Sequence, residues 1–511
     1  MNFRSNITRT VKGLLQPGEG LYQRTVRSGV WAFALRISDR GFGIVRLIVL
    51  ARVLAPNDFG LMGIAMLAMM ALENFSQTGF QQALIQKKGN ISDYLDSAWT
   101  FMLLRNVALC VILFFAAPYI AIFFDAPEAS AIVQVIGFSL LLGGVGAGGG
   151  LGGLVNPGII YFRKELQFKK QFIFQISGTL ADFGVAVSAA LILQSVWALV
   201  FGLLAGNFVR LIASYLIHPY RPRFKLDLAK AKELFGFGKW ILGSTILVFL
   251  IAQGDDILVG KILGATMLGF YQMAYRLSNA PATEVSHVIS QVTFPAYSKL
   301  QDNLRSLRES YLKTLQLTAF ISIPLAVGIF IIAPEFTNIF LGEKWMPMVP
   351  AMQALALAGL IRSIAATMGP VFRAVGKPEI DTKWQIVRFL ILAICIYPLS
   401  VRWDILGTSI AVGLSISLST LGFSYMVIKV TTCEIKEFSK VVSPPLVNGF
   451  MMASSMLLTL KAFNSGDMGK FLATICVGVL VYLSGAYLFD KVTNYGMWPL
   501  VKKTMASSLG K

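Results

Sequence analysis

Long runs of apolar residues, joined by short polar connections, follow one another along almost the whole chain. An α-helix needs about 20 consecutive apolar residues to cross a bilayer, and these runs reach that length. The pattern predicts about fourteen transmembrane helices, near residues 29–53, 59–79, 97–123, 129–154, 171–193, 196–217, 239–263, 267–290, 312–334, 347–371, 384–402, 405–429, 441–462 and 470–489. Because the connections are short, they leave no room for a soluble catalytic domain.

The composition indicates that lipid is the solvent of this chain. Of its residues 55% are hydrophobic and 14% are charged, whereas about 25% of the residues of a soluble domain are charged. So few charges cannot build the polar shell of a water-soluble protein of this size, and we predict an all-α integral membrane protein. The two histidines and four cysteines are scattered, so their spacing predicts no metal site and no disulfide framework.

The excess of basic residues predicts the orientation of the chain. The formal net charge is +19, which in a soluble protein would suggest a nucleic-acid partner. In a membrane protein, basic residues collect instead in the cytoplasmic loops. Here they fall on alternate connections, in segments such as 163–170, 221–232 and 436–440. We predict that both termini are cytoplasmic and that nucleic acid is not a partner.

An internal repeat appears at a shift of about 210 residues. Three pairs of segments match at this shift: Gly29–Trp31 with Gly238–Trp240, Arg52–Gly60 with Lys261–Gly269, and Phe162–Arg163 with Phe372–Arg373. Six helices in each repeat make both repeats point the same way, as in transporters with two lobes around a midplane cavity.

The repeat and the charge pattern together predict the domain organisation. It comprises a cytoplasmic N-terminal segment at 1–28, an N-lobe of six spans at 29–217, a basic cytoplasmic linker at 218–238, a C-lobe of six spans at 239–430, an extra helix pair at 441–489 and a cytoplasmic tail at 490–511.

Charged residues lie inside the predicted spans, where lipid makes them costly. The arginines are Arg36, Arg40, Arg46, Arg105, Arg210, Arg276, Arg362 and Arg388, and the acids are Asp39, Glu73, Asp182, Asp255 and Asp256. The four charges of the first span would cost about 10–14 kcal/mol at mid-bilayer if nothing compensated them. They fall within an arc of about 120° on the helix, which predicts one polar face.

Two interpretations of these charges are open. The arginines can line a water-filled cavity that binds an anionic, phosphorylated substrate, because a guanidinium group holds phosphate oxygens in a two-pronged fork. The carboxylates would then gate the cavity or couple transport to protons or sodium ions. Alternatively, acids and arginines simply pair within the helix bundle. Neither interpretation involves a catalytic residue, a metal or a cofactor.

The glycine-rich run from Gly143 to Gly153 predicts close helix packing or a hinge. It lies in an apolar span and lacks the Gly-Lys-Ser/Thr ending of a phosphate-binding loop.

Four segments resemble one family of membrane transporters. They are VLARVLAPNDFGL at 49–61, LVGKILGATMLGFYQMAYRLSNAP at 258–281, VTFPAYSKLQDN at 292–303 and LGEKWMPMVPAMQALALAGLIRS at 341–363. The chain resembles the polysaccharide transporter family of the MOP flippase superfamily, which includes the Wzx-type flippases, and the last segment resembles its colanic-acid branch.

The resemblance implies a function. Family members move undecaprenyl-diphosphate-linked oligosaccharide repeat units across the bacterial inner membrane during exopolysaccharide or O-antigen synthesis, by alternating access. Arg36, Arg40 and Arg276 lie where related flippases place cavity arginines, which implies that they meet the diphosphate. The implied partners are the lipid-linked oligosaccharide, membrane lipids, and a polysaccharide polymerase with its export machinery.

Three other functions are weighed against this one. A cation-coupled multidrug antiporter of the same superfamily would need acids to dominate its cavity, and here arginines do. A membrane polymerase or glycosyltransferase would need a large external loop, whereas the longest loops here are predicted to be cytoplasmic. A membrane scaffold without transport activity is the third.

Overall fold

The structure, a computed structural model, describes residues 21–77, 80–86, 91–144, 152–165, 167–462 and 467–493, together with residues 496, 497 and 499. These residues form helices and contain no β-strand. Ten helices of this described part are long and apolar enough to cross a membrane. The prediction of an all-α, multi-pass membrane protein is therefore confirmed, while the total of about fourteen spans stays a prediction.

Eight helices precede residue 218 in the described part of the chain. They are α1 (Leu21–Val53), α2 (Pro56–Phe75), α3 (Phe80–Gln86), α4 (Ser92–Phe123), α5 (Ala129–Leu141), α6 (Ile160–Lys164), α7 (Phe168–Leu193) and α8 (Trp197–Ile217). A 3₁₀ turn at Pro157–Ile159 leads into α6.

Seven further helices follow in the described residues. They are α9 (Leu228–Ser298), α10 (Leu304–Phe336), α11 (Val349–Ala365), α12 (Gly369–Ala374), α13 (Pro378–Thr431), α14 (Ile435–Ala462) and α15 (Asp467–Thr493). A π turn at Thr337–Leu341 and a 3₁₀ turn at Glu343–Met348 connect α10 to α11.

The two longest helices are each interrupted where two predicted spans meet. In α9 the backbone leaves the helical region at Gly264, where φ is 83°. In α13 it leaves that region at Trp403 and Asp404. The interruption in α9 lies between the seventh and eighth predicted spans. The interruption in α13 lies between the eleventh and twelfth.

The chain forms two compact units, Met1–Gly269 and Phe270–Lys511. The division between them falls inside α9. The predicted lobes at 29–217 and 239–430 stay a prediction.

The prediction of a continuous fourth span at 129–154 is wrong. The helix α5 ends at Leu141, and Gly143 and Gly144 follow with φ values of 122° and 73°. Glycine adopts such angles without steric penalty and, with no side chain, adds little to a helix. Residues 145–151 of the glycine-rich run lie outside the described residues.

The tenth predicted span, at 347–371, is also interrupted. The helix α11 ends at Ala365, and a turn separates it from α12. The short helices α6 and α12 carry the matched residues Phe162 and Phe372, and each of these two rings is fully buried in the core of its own unit. The repeat therefore extends to these two broken spans.

The repeat also governs the helices that follow. The helix α7 begins at Phe168 and is closed by Gln194 in the left-handed conformation. The first half of α13 begins at Pro378 and ends at Asp404, whose φ of 49° is also positive. Both offsets are 210 residues, so α7 and the first half of α13 are equivalent helices.

Repeated segments contact each other within the first unit. The side-chain oxygens of Asn57 and Thr266, which are 209 positions apart, lie 3.2 Å from each other. A Cβ at Gly60 would collide with the carbonyl oxygen of Ala265, and a Cβ at Gly269 would collide with that of Pro56. Because Gly60 and Gly269 are themselves matched by the repeat, the contact is nearly symmetric, as in a two-fold interface.

The helix α1 is joined to α7 by a partly buried ion pair. Nη2 of Arg46 donates to Oδ1 of Asp182 at 2.9 Å, and Nε of Arg46 lies 2.9 Å from Oδ2. Both side chains are about one-fifth exposed, at 20% and 21%. The carboxylate of Asp182 compensates the positive charge of Arg46, which would be unfavourable in lipid without a partner.

The segment after α8 is held against the first unit by polar contacts. Nδ2 of Asn156 donates to the carbonyl oxygen of Tyr220 at 2.7 Å, and the Tyr220 hydroxyl donates to Asp96 at 2.7 Å. Burial and the nearby charge of Lys170 lower the pKa of His218. His218 is therefore neutral at pH 7, which lets its Nδ1 accept from the Tyr220 amide.

We expect Gly60→Ala to destabilise the protein. The added Cβ would overlap the Ala265 carbonyl oxygen, and overpacking of this kind costs about 1–3 kcal/mol. The thermal unfolding midpoint in detergent should fall. Gly184→Ala is the matched helical control, since no atom lies within 4 Å of the added group. Equal midpoints for the two variants would contradict the close contact.

We also expect Arg46→Gln and Asp182→Asn each to lower the free energy of unfolding by about 1.5–3 kcal/mol, because each removes the charge-assisted hydrogen bond between these two partly buried side chains. The double variant should lose less than the sum of the two. Lys261→Gln is the control, because its ion pair with Asp125 is exposed. Additive losses at Arg46 and Asp182, measured by thermal unfolding, would show that the pair is not coupled.

Candidate functional site

The polar face of α1 carries the first predicted cavity residues. Arg36 and Asp39 are half-buried, and Arg40 is exposed. Thr179 of α7 donates its hydroxyl to Oδ1 of Asp39 at 3.0 Å. A Cβ at Gly43, on the same helix, would meet no atom within 4 Å. This face combines charged groups with open space.

A balanced cluster of charges forms between α1, α7 and α8. Arg210 of α8 interacts electrostatically with Asp182 and Asp39, and Asp182 also pairs with Arg46. Gly178 leaves the space that the Arg210 side chain fills, because a Cβ there would collide with it. Two arginines therefore face two carboxylates, and the cluster needs no external ion.

Arg105 and Glu73 meet at the C-terminal end of α2. The Arg105 guanidinium donates to the carbonyl oxygens of Glu73 and Ser76, both at 2.8 Å, and to the Ser76 hydroxyl at 2.7 Å. It thereby satisfies carbonyl groups that a helix end leaves without partners. This geometry is that of a helix cap, and the role of Arg105 in substrate binding stays a prediction.

The remaining predicted residues of α9 occupy different environments. Asp255 is buried, Asp256 is half-buried and Arg276 is exposed. Asp255 and Asp256 belong to the first unit and Arg276 to the second.

The second unit brings two predicted arginines into one pocket. Nη1 of Arg362 donates to the Tyr275 hydroxyl at 2.5 Å, and the guanidinium lies 5.4 Å from the centre of the same ring. Arg362 and Arg388 both line a pocket of about 240 Å³ between α11, α12 and the two halves of α13.

Five polar residues of this pocket are not among the predicted site residues, namely Arg373, Asp381, Gln385, Ser419 and Thr420. The predicted tenth span ends at residue 371, so Arg373 falls in the basic, predicted cytoplasmic connection that follows it. Asp381 and Gln385 precede Arg388 by seven and three residues, which puts all three on one helix face. That spacing was a usable signal, whereas the approach of Thr420 from the other half of α13 was not visible in the sequence.

A larger cavity of about 500 Å³ lies at the end of α10. Its charged lining residues are Glu335, Glu343 and Lys470. Because these groups differ in sign, the cavity has no clear preference for an anion. The arginine pocket is therefore the better candidate site within the second unit.

The chain matches the model of a known protein family over more than half of its length. A model described as "Polysaccharide biosynthesis protein" matches residues 49–350. The lipopolysaccharide biosynthesis protein WzxC of Escherichia coli K12 is 25% identical over 374 residues, which cover 72% of this chain and 73% of that protein. The succinoglycan biosynthesis transport protein ExoT of Rhizobium meliloti is 22% identical over 463 residues, or 90% of this chain and 92% of that protein.

Solved structures share the fold. The lipid II flippase MurJ, in an inward closed conformation, has a TM-score of 0.70 at 16% identity over 91% of this chain and 99% of that chain. An inward-facing multidrug transporter of the MATE family has a TM-score of 0.53 at 13% identity, over 76% of this chain and 95% of that chain. The protein has the fold of the MOP superfamily, and, because the matching model covers more than half of its length, it belongs to the polysaccharide biosynthesis protein family.

Proposed function

We propose that the protein is a flippase that moves undecaprenyl-diphosphate-linked oligosaccharide repeat units across the bacterial inner membrane. The observation that supports this most is the set of arginines held half-buried within apolar helices, among them Arg36, Arg362 and Arg388. Fixed cations inside a membrane suit an anionic substrate. The names of the relatives WzxC and ExoT, which refer to polysaccharide synthesis and transport, agree with such a substrate.

The arginines would act by replacing water around the diphosphate. A charged head group loses its hydration when it enters the membrane, and this loss otherwise blocks flipping. A guanidinium group restores hydrogen bonds to the phosphate oxygens in a fixed fork. Arg36, Arg40 and Arg276 are the proposed contacts of the diphosphate, while the prenyl tail stays in lipid. The proposed orientation has both termini in the cytoplasm.

Alternating access requires a contact that opens on the outer side. In the proposed orientation, the paired segments 52–60 and 261–269 lie at that side. We propose that their contact closes the outer end of the cavity and separates when the substrate is released. The absence of Cβ atoms at Gly60 and Gly269 lets the two backbones approach closely, and close approach excludes water.

A cation-coupled multidrug antiporter is the second candidate, favoured by the shared fold with the MATE transporter. Asp255 and Asp256 are its proposed proton or sodium sites. Against it, Asp182 is engaged by Arg46 and Asp39 accepts from Thr179. These acids are therefore poorly placed to bind a cationic drug.

We expect Arg36→Gln and Arg276→Gln to reduce flipping at least about tenfold, because each removes charge-assisted hydrogen bonds to the diphosphate. Purified protein in proteoliposomes would be given a prenyl-diphosphate oligosaccharide, and an external glycosidase would score the flipped head groups. Arg402→Gln is the control, since Arg402 is exposed and stacks on Trp403. Normal flipping by both cavity variants would remove these arginines from the mechanism.

A disulfide between Asn57→Cys and Thr266→Cys should lock the proposed outer contact. The native cysteines, Cys110, Cys395, Cys433 and Cys476, would first be replaced by serine. The oxidised double variant should not flip substrate, and reduction should restore flipping. Asn57→Cys by itself is the control for side-chain loss. Undiminished flipping by fully cross-linked protein would show that this contact need not open.

A further inference from the structure

The cavity of about 500 Å³ at the end of α10 is lined by charged groups of both signs. Glu335 and Glu343 supply carboxylates, Lys470 supplies an ammonium group and Asn338 supplies an amide. Within the described residues neither carboxylate forms an ion pair, and the lysine forms none either. Charges of opposite sign therefore share one cavity without direct contact between them.

The carboxylate of Glu335 is short of hydrogen-bond donors. The side chain is half-buried, and its Oε2 is shielded from solvent and has no hydrogen-bond partner in the described part of the chain. A shielded carboxylate oxygen without a donor costs free energy. Because the same side chain lines the cavity, a molecule bound there can supply donors to this carboxylate.

Irregular backbone supplies most of the lining of this cavity. Asn338 and Ile339 belong to the π turn, and Glu343 and Met346 belong to the 3₁₀ turn. Short π-helical segments are rare and are frequent at functional sites. In a membrane protein, backbone that leaves the α-helical pattern is tolerated where it lines a cavity. The local backbone therefore favours a binding site at this place.

Aromatic rings hold the walls of the cavity together. The ring centre of Phe471, near the start of α15, lies 5.5 Å from that of Phe340 and 6.4 Å from that of Phe336. Trp345 of the 3₁₀ turn is fully buried, and its ring centre lies 5.8 Å from that of Phe270. Walls that are fixed before binding lose little conformational freedom when a ligand arrives.

The mixture of signs limits what the cavity can bind. An anion would meet two carboxylates, and a metal cation would meet the ammonium group of Lys470. A neutral molecule with several hydroxyls avoids both repulsions, because each hydroxyl can donate to a carboxylate or accept from Lys470 and Asn338. Apolar surface for the C–H groups of such a molecule comes from Pro334, Ile339 and Met346.

We propose that this cavity binds one sugar unit of a glycan. A sugar ring combines hydroxyls with an apolar C–H face, and the volume of about 500 Å³ falls within the range of small-molecule pockets. The source of the sugar rests on the proposed function. In the proposed orientation α10 ends at the outer side of the membrane, where a flipped glycan emerges. The cavity holds one sugar of the repeat unit on that side.

The test is saturation-transfer-difference NMR on the purified full-length protein, in a detergent without a sugar head group. The probes are the methyl glycosides of glucose, galactose, mannose and N-acetylglucosamine, each titrated separately. We expect at least one of them to bind saturably. Glu335→Leu and Lys470→Met should each weaken that binding at least about tenfold, because each removes hydrogen bonds to a charged group. The matched controls, Glu379→Leu and Lys461→Met, change exposed residues outside the cavity and should bind as the native chain does.

Thermal stability separates a binding role of Glu335 from a structural one. Glu335→Leu removes a shielded oxygen that has no partner in the described residues, so the ligand-free thermal midpoint should stay unchanged or rise. A midpoint well below that of Glu379→Leu would show that Glu335 supports the fold and would contradict its role in binding. If Glu335→Leu fails to fold, Lys470→Met decides by itself whether the cavity binds the sugar.

Two further probes test other ligands by isothermal titration calorimetry. Glycerophosphoethanolamine represents a zwitterionic lipid head group, and calcium chloride represents a metal cation. Binding of either one that depends on Glu335, with no binding of any glycoside, would overturn the sugar site and assign the cavity to that ligand. The absence of Glu335-dependent binding by every glycoside would overturn the sugar site as well.

Sugar binding and flipping can fail separately. A protein that binds a glycoside through Glu335 but flips no lipid-linked glycan in proteoliposomes would support the sugar site and contradict the proposed function. A protein that flips its substrate but shows no Glu335-dependent binding of any glycoside would overturn the sugar site and leave the proposed function standing.

Discussion

The ion pair between Arg46 and Asp182 shows the constraint under which this protein is built. A helix with the charges of α1 is poorly suited to lipid, and partners on neighbouring helices make it acceptable. The forked contact at 2.9 Å joins α1 to α7, and Arg210 of α8 interacts with the same carboxylate. Small residues support this arrangement, since Gly202 and Gly206 pack directly against Asp182. Charge compensation and close helix packing therefore occur together around Asp182.

The two repeats share backbone geometry but differ in their charges. Equivalent helices begin and end 210 residues apart, and both repeats contain a broken span followed by a short helix. In the first repeat Asp182 faces Arg46 and Arg210, whereas the equivalent position of the second repeat, 210 residues later, is Leu392. Duplicated architecture therefore carries different side chains on equivalent helices.

Much of the fold could be predicted because the bilayer imposes a simple rule on sequence. Apolar length identifies helices, and the repeat identifies equivalent segments such as 52–60 and 261–269. The rule failed at the glycine-rich run, where apolar composition was read as a continuous helix. Hydropathy does not measure the backbone preference of a residue. A glycine-rich segment counts as apolar, but glycine has little tendency to form a helix. The same limitation hid the break before α12, which placed Arg373 in a loop when it belongs to a pocket.

The sequence by itself determined the membrane class, the approximate positions of the helices, the repeat and the residues that carry charge inside the membrane. Those properties depend on residue type and on spacing along one helix. Only the tertiary structure decided which charges neutralise one another. Arg46 and Arg362 are alike in sequence, each an arginine in an apolar helix. Yet Arg46 meets a carboxylate 136 positions away, and Arg362 meets a tyrosine and an open pocket. The free energy of a buried charge depends on its neighbours in space, and helix packing sets those neighbours.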